Sequence, residues 1–352
     1  MVKQKKWWLP ALSGLSLCVA ALYFWYTIPD HSETQKSTEP SNDLNIEHSA
    51  GQGEPITPIP LVMNLDQRKV DLGRRLFHDP QLSHDNTIAC ASCHRLDKGG
   101  ADGLPVPIGI GGKRGKINTL TVFNSGFNFR LFWDGRAATL EDQMDIPLQH
   151  PAEMATTWPK VIAKLNNDAA YRRDFAALYP HGIEQPAIKD AIATYERSLT
   201  TPNSKFDRYL RGDIHAMSDE ELEGYQLFKS LGCINCHQGM NVGGNLYQKL
   251  GVVNDYFAAR GNVSEVDYGR YNITKIEADR YKFRVASLRN VALTAPYFHD
   301  ASADTLEKAV LTMGRYQLGV SLSRDEIISI VKFLKTLTGE YSAGVDQGDT
   351  TP

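Results

Sequence analysis

The 352-residue chain carries almost no charge imbalance, with a formal net charge of −3. That excludes an electrostatic case for nucleic acid, and no block rich in Lys and Arg occurs beyond the first few residues. The sequence also lacks any long run of alternating apolar and polar residues, so a body built on half-buried strands is not expected. Cysteine is scarce, at five residues, and its spacing carries more information than its number. What remains is ordinary globular composition, 42% hydrophobic and 22% charged, on a length sufficient for two domains.

One absence is local. Trp7 to Ile28 contains no charged side chain, and as a helix it would reach about 33 Å, the thickness of a bilayer core. Lys3, Lys5 and Lys6 precede it and Trp7, Trp8, Trp25 and Tyr26 sit near its ends. The positive-inside rule then keeps the first residues in the cytoplasm and places the body on the periplasmic side. Residues 1–28 are thus expected to form a cytoplasmic tip and membrane anchor. The rival is a cleaved signal peptide and a soluble periplasmic protein. Cys18 falls inside this stretch after Leu17 and reads as a buried apolar cysteine rather than a lipid site.

Residues 29–55, rich in Ser, Thr, Glu, Asn, Pro and Gly, read as a flexible linker. Two globular regions follow, over 56–205 and 206–342, and 343–352 reads as a loose tail. A weak repeat supports the division. Gly73-Arg74-Arg75-Leu76-Phe77 and Gly224-Tyr225-Gln226-Leu227-Phe228 each precede a cysteine pair. Ser218 with Glu221 predicts a capping box. Ile188, Ala191, Ile192, Tyr195 and Leu199 have helical spacing, as do Ile327, Ile328, Val331, Leu334 and Leu337 between a Ser323/Glu326 cap and a Gly339 stop. The expected fold is mostly α with long Gly-rich loops, one of them from Gly99 to Gly115.

Cys90-Ala91-Ser92-Cys93-His94 and Cys233-Ile234-Asn235-Cys236-His237 are both Cys-x-x-Cys-His, the spacing of c-type haem attachment. Two thiols add to the haem vinyl groups and the histidine ligates the iron. A disulfide or redox pair would not need the histidine, and a zinc site would need two more soft ligands. Two covalently bound haem c groups are therefore expected. A methionine in the sixth position raises the potential and closes the iron, and an open position lets it bind peroxide. Met63, Met144, Met154, Met217, Met240 and Met313 are candidates that periodicity does not separate.

Several stretches resemble one family, the bacterial dihaem cytochrome c peroxidases. They are Leu72-Gly73-Arg74-Arg75-Leu76-Phe77, Asp79-Pro80-x-Leu82-Ser83, Phe132-Trp133-Asp134-Gly135-Arg136-Ala137 with Glu153-Met154, Ser287-Leu288-Arg289-Asn290-Val291 with Ala295-Pro296-Tyr297-Phe298-His299, and Met313-Gly314 with Gln317-Leu318-Gly319. The resemblance covers roughly 56–340. It implies two tandem cytochrome c-like haem domains and reduction of hydrogen peroxide to water. The His94 haem would be peroxidatic, and the His237 haem, with Met313 as sixth ligand, would receive electrons.

The resemblance also implies that Trp133 passes electrons between the haems, that Glu153 is the acid/base over the open face, and that Gln143 lines the same pocket. Asn118, Thr294 and Pro296 would hold a calcium ion with waters. Donors would be a small cytochrome c, a cupredoxin or the quinol pool, and a homodimer is suggested by resemblance alone.

One position departs from the pattern. Ile110 stands where many members have a histidine that blocks the peroxidatic iron, so either no reductive activation is needed or another residue, such as His84, takes that role. Two rival functions share the haem motifs. One is a dihaem electron carrier. The other is a protein-modifying dihaem oxidase, which has tyrosine where Met313 stands, and Tyr316 lies near.

Overall fold

The computed structural model describes residues 53–341. The expected anchor, the tail and nearly all of the linker lie outside these residues. Among those described, no helix is long and apolar enough to cross a membrane. Glu54 and Pro55, the end of the expected linker, are held in place. Glu54 accepts from the Tyr225 hydroxyl and pairs with Lys229 at 3.1 Å, and the Pro55 carbonyl accepts from Gly239 N at 2.8 Å.

The protein is mostly helical. The α-helices of its first half are α1 (Gln67–His78), α2 (Cys90–Cys93), α3 (Leu140–Gln143), α4 (Asp145–Gln149), α5 (Trp158–Asn167), α6 (Ala169–Leu178) and α7 (Gln185–Ser198). Then come α8 (Lys205–Leu210), α9 (Asp219–Ser230), β1 (Tyr247–Lys249), α10 (Tyr256–Arg260), α11 (Tyr271–Thr274) and β2 (Lys282–Arg284). Among the described residues the last helices are α12 (Leu306–Thr312) and α13 (Arg324–Lys335). β1 and β2 pair antiparallel, with Tyr247 opposite Arg284 and Lys249 opposite Lys282.

The capping chemistry sets the helix starts. Ser218 accepts from Glu221 N at 3.3 Å while the Glu221 carboxylate accepts from Ser218 N at 2.9 Å, and Ser323 with Glu326 does the same for α13. Elsewhere the boundaries differ from expectation. The N-cap of α12 is Thr305, whose hydroxyl accepts from Lys308 N at 3.2 Å. Asp304 instead pairs with the Lys308 side chain at 2.7 Å. Only an extended residue just before the first turn can aim an oxygen at the third helical N–H. Nor does α13 run to Gly339. It ends at Lys335, where the Thr336 hydroxyl donates to the Phe333 carbonyl at 2.6 Å. Gly339 is needed for another reason: a Cβ there would lie 1.8 Å from the Thr201 carbonyl oxygen.

Two helix pairs organise the core. α1 crosses α7 at Gly73, where a Cβ would lie 2.0 Å from the Ala191 carbonyl oxygen. α9 crosses α13 at Gly224, where a Cβ would lie 1.9 Å from the Ser329 carbonyl oxygen. One turn on, Phe77 packs on Tyr195 at 5.3 Å between ring centroids, and Phe228 packs on Phe333 at 5.1 Å. The first pair sits in a hydrophobic cluster running from Val70 to Leu199. The second pair sits in a cluster of Ile56 and residues between Phe206 and Leu337.

The repeat extends into the loops, with one constant sequence offset from Asn124/Asn290 to the starts of α3 and α12. Asn124 and Asn290 both adopt φ of 59°, and Phe132 and Phe298 are both left-handed. Isolated bridges join Leu131 to Ala137 and Tyr297 to Ala303. Thr139 and Thr305 then cap α3 and α12. The helices α7 and α13 match in the same way, Ala191 with Ser329 and Tyr195 with Phe333.

Gly224→Ala is expected to destabilise the protein by about 1–3 kcal/mol through overpacking, read as a lowered calorimetric midpoint. An unchanged midpoint would show that the two helices can part at no cost.

Candidate haem sites

The second Cys-x-x-Cys-His closes on a largely apolar cavity of about 240 Å³. Cys233, Cys236, His237 and Met313 all line it, with Leu306, Ala309, Val310, Ile330 and Leu334 from α12 and α13. Burial pushes the His237 imidazole down to about 4, against the pull of the Val242 and Ala286 backbone. It is therefore the neutral, ligating form. Met313 begins a π-helical stretch, Met313–Leu318, a local widening common where a helix serves a site. Tyr316, three residues on, packs edge-on against Tyr256 at 5.3 Å and is not in the cavity wall. Two thiols, a neutral imidazole and a thioether around an apolar cavity fit a haem.

Trp133 reaches the same cavity from the first half. Its Nε1 donates to the Asn118 carbonyl at 2.9 Å, and its ring meets Phe283 and His299 edge-on at 6.4 and 6.2 Å. Asn118, Thr294 and Pro296 also line this cavity. The Asn118 amide nitrogen donates to the Leu104 carbonyl at 2.9 Å, which leaves its Oδ1 as the atom suited to a cation.

At the first motif, α2 carries both cysteines. His94 is half-buried, and desolvation pushes its imidazole below the usual range. Its Nδ1 faces the Gly100 carbonyl at 3.3 Å, so Nε2 is the atom left to ligate. Burial, then Glu196 and Cys93, pushes the Cys90 thiol up to about 12. Burial, then Asp102 and Glu153, pushes Cys93 up to about 11. Glu153 thus bears on the Cys93 thiol. Burial raises its carboxyl above the usual range, with His150 and Arg136 pulling back, and His150 Nδ1 lies 3.4 Å from Oε1.

The loop holding Ile110 is pinned to the Glu153 turn. Ile110 N donates to the Glu153 carbonyl at 2.9 Å, and a Cβ on Gly109 would lie 2.1 Å from the Ala152 carbonyl oxygen. Ile110 is buried there, whereas the His84 side chain is exposed and its backbone N donates to Met154 O at 2.9 Å. Of the other methionines, Met144 and Met154 pack in the first hydrophobic cluster and Met217 in the second.

The repeat assigns places that spacing alone did not. Counting from the capping threonines, Gln143 at the end of α3 corresponds to Ala309, which lines the second cavity. Pro147 of α4 corresponds to Met313 and carries no ligand atom. Trp133 corresponds to His299. The signal was present as Phe-Trp-Asp-Gly-Arg-Ala against Phe-His-Asp-Ala-Ser-Ala, each followed by a capping threonine.

Sequence reasoning also missed the network around His299. Asp267, His299 and Asp300 are, among the described residues, the one acidic and histidine group within metal-ligand reach. Arg260 occupies it, bonding Asp267 at 2.9 and 2.7 Å and also reaching Asp300, while His299 Nε2 meets Asp267 at 2.7 Å. Burial pulls Asp267 upward, but the Arg260 guanidinium, the Ser264 N–H and His299 together hold it well below the usual carboxylate range.

A family model described as di-haem cytochrome c peroxidase matches residues 67–215. The chain is 48% identical over 303 residues to cytochrome c peroxidase Ccp of Escherichia coli, covering 86% of this chain but only 64% of that protein's length. It is 46% identical over 291 residues to cytochrome c551 peroxidase of Nitrosomonas europaea, covering 82% of this chain and 85% of that one. A crystal structure of a MauG-like protein associated with microbial copper homeostasis superposes with TM-score 0.71 at 30% identity, over 81% of this chain and 93% of that one.

Arg260→Ala leaves buried carboxylates without their cation, so a loss of about 3–5 kcal/mol is expected at neutral pH. Because Asp267 is depressed in the folded state, its contribution is present above the unfolded carboxylate range and fades as pH falls. The gap between variant and wild type in thermal midpoint should therefore narrow towards about pH 3. A gap independent of pH would show that Asp267 is not the partner that matters.

Proposed function

The chain belongs to the di-haem cytochrome c peroxidase family, and from that premise we propose that it reduces hydrogen peroxide to water. Two haems serve this family. In this chain they would be covalently attached, one at Cys90 and Cys93 with His94 as ligand, the other at Cys233 and Cys236 with His237 and Met313. The two haem domains would lie in tandem, one before and one after about residue 205. The observation that carries the reading is the asymmetry of the repeat: Met313 faces one cavity, and Pro147 stands at the matching place of the other half. A peroxidase needs this difference, one iron closed for electron entry and one open to substrate, whereas an electron carrier does not.

When bound, the irons supply peroxide binding and electron transfer. The residues around them do the rest. Peroxide takes up two electrons and two protons to give two waters. Glu153 would take a proton from one peroxide oxygen and return it to the other through its carboxylate, and burial, which raises its affinity for a proton, suits it to that exchange. Gln143 donates to the bound peroxide. Trp133 offers an aromatic path between the halves, its ring fixed by the bond to the Asn118 carbonyl. Calcium held by the Asn118 side chain and the carbonyls of Thr294 and Pro296 would stiffen this junction.

Ile110 cannot ligate iron, so the peroxidatic site needs no reductive activation. Met313, rather than Tyr316, in the cavity wall favours peroxide reduction over oxidation of a partner protein. The body would work on the periplasmic side of the inner membrane, held by the 7–28 segment, with a small cytochrome, a cupredoxin or the quinol pool as donor, as a homodimer.

EPR and optical spectra of the fully oxidised protein, followed by peroxide without pre-reduction, test this. One high-spin and one low-spin haem reacting at once are expected. Two low-spin haems, inert even after one electron is added, would replace the enzyme by an electron carrier. Glu153→Gln should lower kcat by about 10²–10⁴ with both haem spectra intact, and wild-type turnover in that variant would remove Glu153 from the mechanism.

A further inference from the structure

Glu196 is a charged residue where the fold calls for an apolar one. It lies on α7, only 7% exposed, and its Oε2 is buried without a hydrogen-bond partner. The match between α7 and α13 sets Ala191 with Ser329, Ile192 with Ile330, and Tyr195 with Phe333. The same register sets Glu196 with Leu334. Ile330 and Leu334 both line the cavity of the second haem motif, and Glu196 holds the position of Leu334 in the first half. The field at Cys90 agrees, since Glu196 is the principal charge that raises that thiol.

We propose that Glu196 is a proton site coupled to reduction of the haem held at Cys90, Cys93 and His94. The inference rests on the reading of that motif as a haem site. Burial is the first cause that pushes the Glu196 carboxyl upward, to about 8, with Arg197 pulling it down and Glu141 pushing it up.

The charged groups bearing on it can be named. Arg197, from its own helix, is engaged by Glu141 of α3 at 2.7 Å. α2 brings Cys90. From α1, Lys69 is taken by Asp190 at 2.7 Å and His78 packs edge-on to Tyr195 at 6.2 Å. The short turn Ser125–Phe127, also packed on α7, brings a serine hydroxyl and no charge.

The physical coupling follows from charge. Oxidised haem carries one more positive charge than reduced haem, which favours the Glu196 carboxylate. Reduction removes that charge, and a carboxylate in a dry wall then binds a proton. One electron in and one proton in leave the buried charge unchanged. The second haem, with Leu334 in that place, has no such partner, so the two haems of one chain should respond differently to pH. A proton stored at Glu196 is also one that peroxide reduction, which consumes two, can draw on.

The test is spectroelectrochemistry of the holoprotein from about pH 6 to pH 10, following the two haems separately in wild type, Glu196→Gln and Glu196→Leu. In wild type the His94 haem potential should fall as pH rises, approaching a tenfold shift per pH unit, about 59 mV for one electron. In Glu196→Gln, which is fixed neutral, it should stay flat near the acid limit of wild type. Infrared difference spectra should show a carboxyl C=O band that appears on reduction and is missing in Glu196→Gln. Glu196→Leu, carrying the residue the other half uses, should fold and give the same flat profile. A wild-type potential independent of pH, or a slope and carboxyl band that survive in Glu196→Gln, would overturn the proposal. One haem per chain by pyridine haemochrome assay would instead overturn the underlying reading of the His94 site.

Discussion

The closeness of two helix crossings governs the rest of the molecule. At Gly73 over Ala191 and at Gly224 over Ser329 the backbones approach so nearly that no Cβ fits. Contact at that range locks both the angle and the register of each pair, because interiors packed at crystal density do not slide. Register in turn decides which side chains face the haem motif that follows. On α13 these are Ile330 and Leu334, and on α7 they are the residues at the same distance beyond the crossing. The second cysteine pair follows α9 closely, while a turn and a loop over residues 79–89 lead from α1 to the first.

On this duplicated frame the two halves differ in chemistry at a few matched places. Leu334 is replaced by Glu196, Ala309 by Gln143, Met313 by Pro147 and His299 by Trp133. At the first three of these places the second half is apolar and carries the thioether of Met313. There the first half lacks that thioether and carries the Gln143 amide and the buried Glu196 carboxyl, while at the fourth place the titratable side chain, His299, belongs to the second half. Burying a carboxyl costs free energy unless it stays neutral or finds a partner, and Glu196 has an unpartnered oxygen. A residue that only stabilised the fold would be the leucine its counterpart already is. The polarity of this half is therefore tied to what the site does.

Much of this was legible in the sequence. The two Cys-x-x-Cys-His motifs, the Gly-x-x-x-Phe turns before them and the capping boxes at Ser218 and Ser323 are local signals, and local chemistry fixes them. The helix ends were harder. Thr305 rather than Asp304 caps α12 because of where the chain enters the helix, which neighbours decide. Gly339 read as a helix stop, but it serves the packing of Thr201. Glu196 was invisible, because a single glutamate on a helix reads as solvated surface until the crossing at Gly73 shows which way it faces. The Arg260 and Asp267 network was hidden for the same reason, as its members join only through tertiary contact.

The join between the halves completes the logic of the repeat. Asn124 and Asn290, matched residues in matched left-handed turns, both donate to one atom, the Thr201 hydroxyl, at 2.8 and 2.9 Å. Their own backbone N–H groups bond Leu199 and Leu337, matched residues after α7 and α13. Nearby, the fully buried pair Arg289–Asp207, at 2.8 Å, ties in the entering chain through the Thr57 carbonyl and Ile59 N. An apolar join of equal area would hold the halves together but allow small slips, since apolar contact is not directional. A buried polar network is satisfied in one arrangement and costly in others. The relay proposed for Trp133, between the two Cys-x-x-Cys-His motifs, would depend on separation and orientation. A join that permits a single register is what such a path requires.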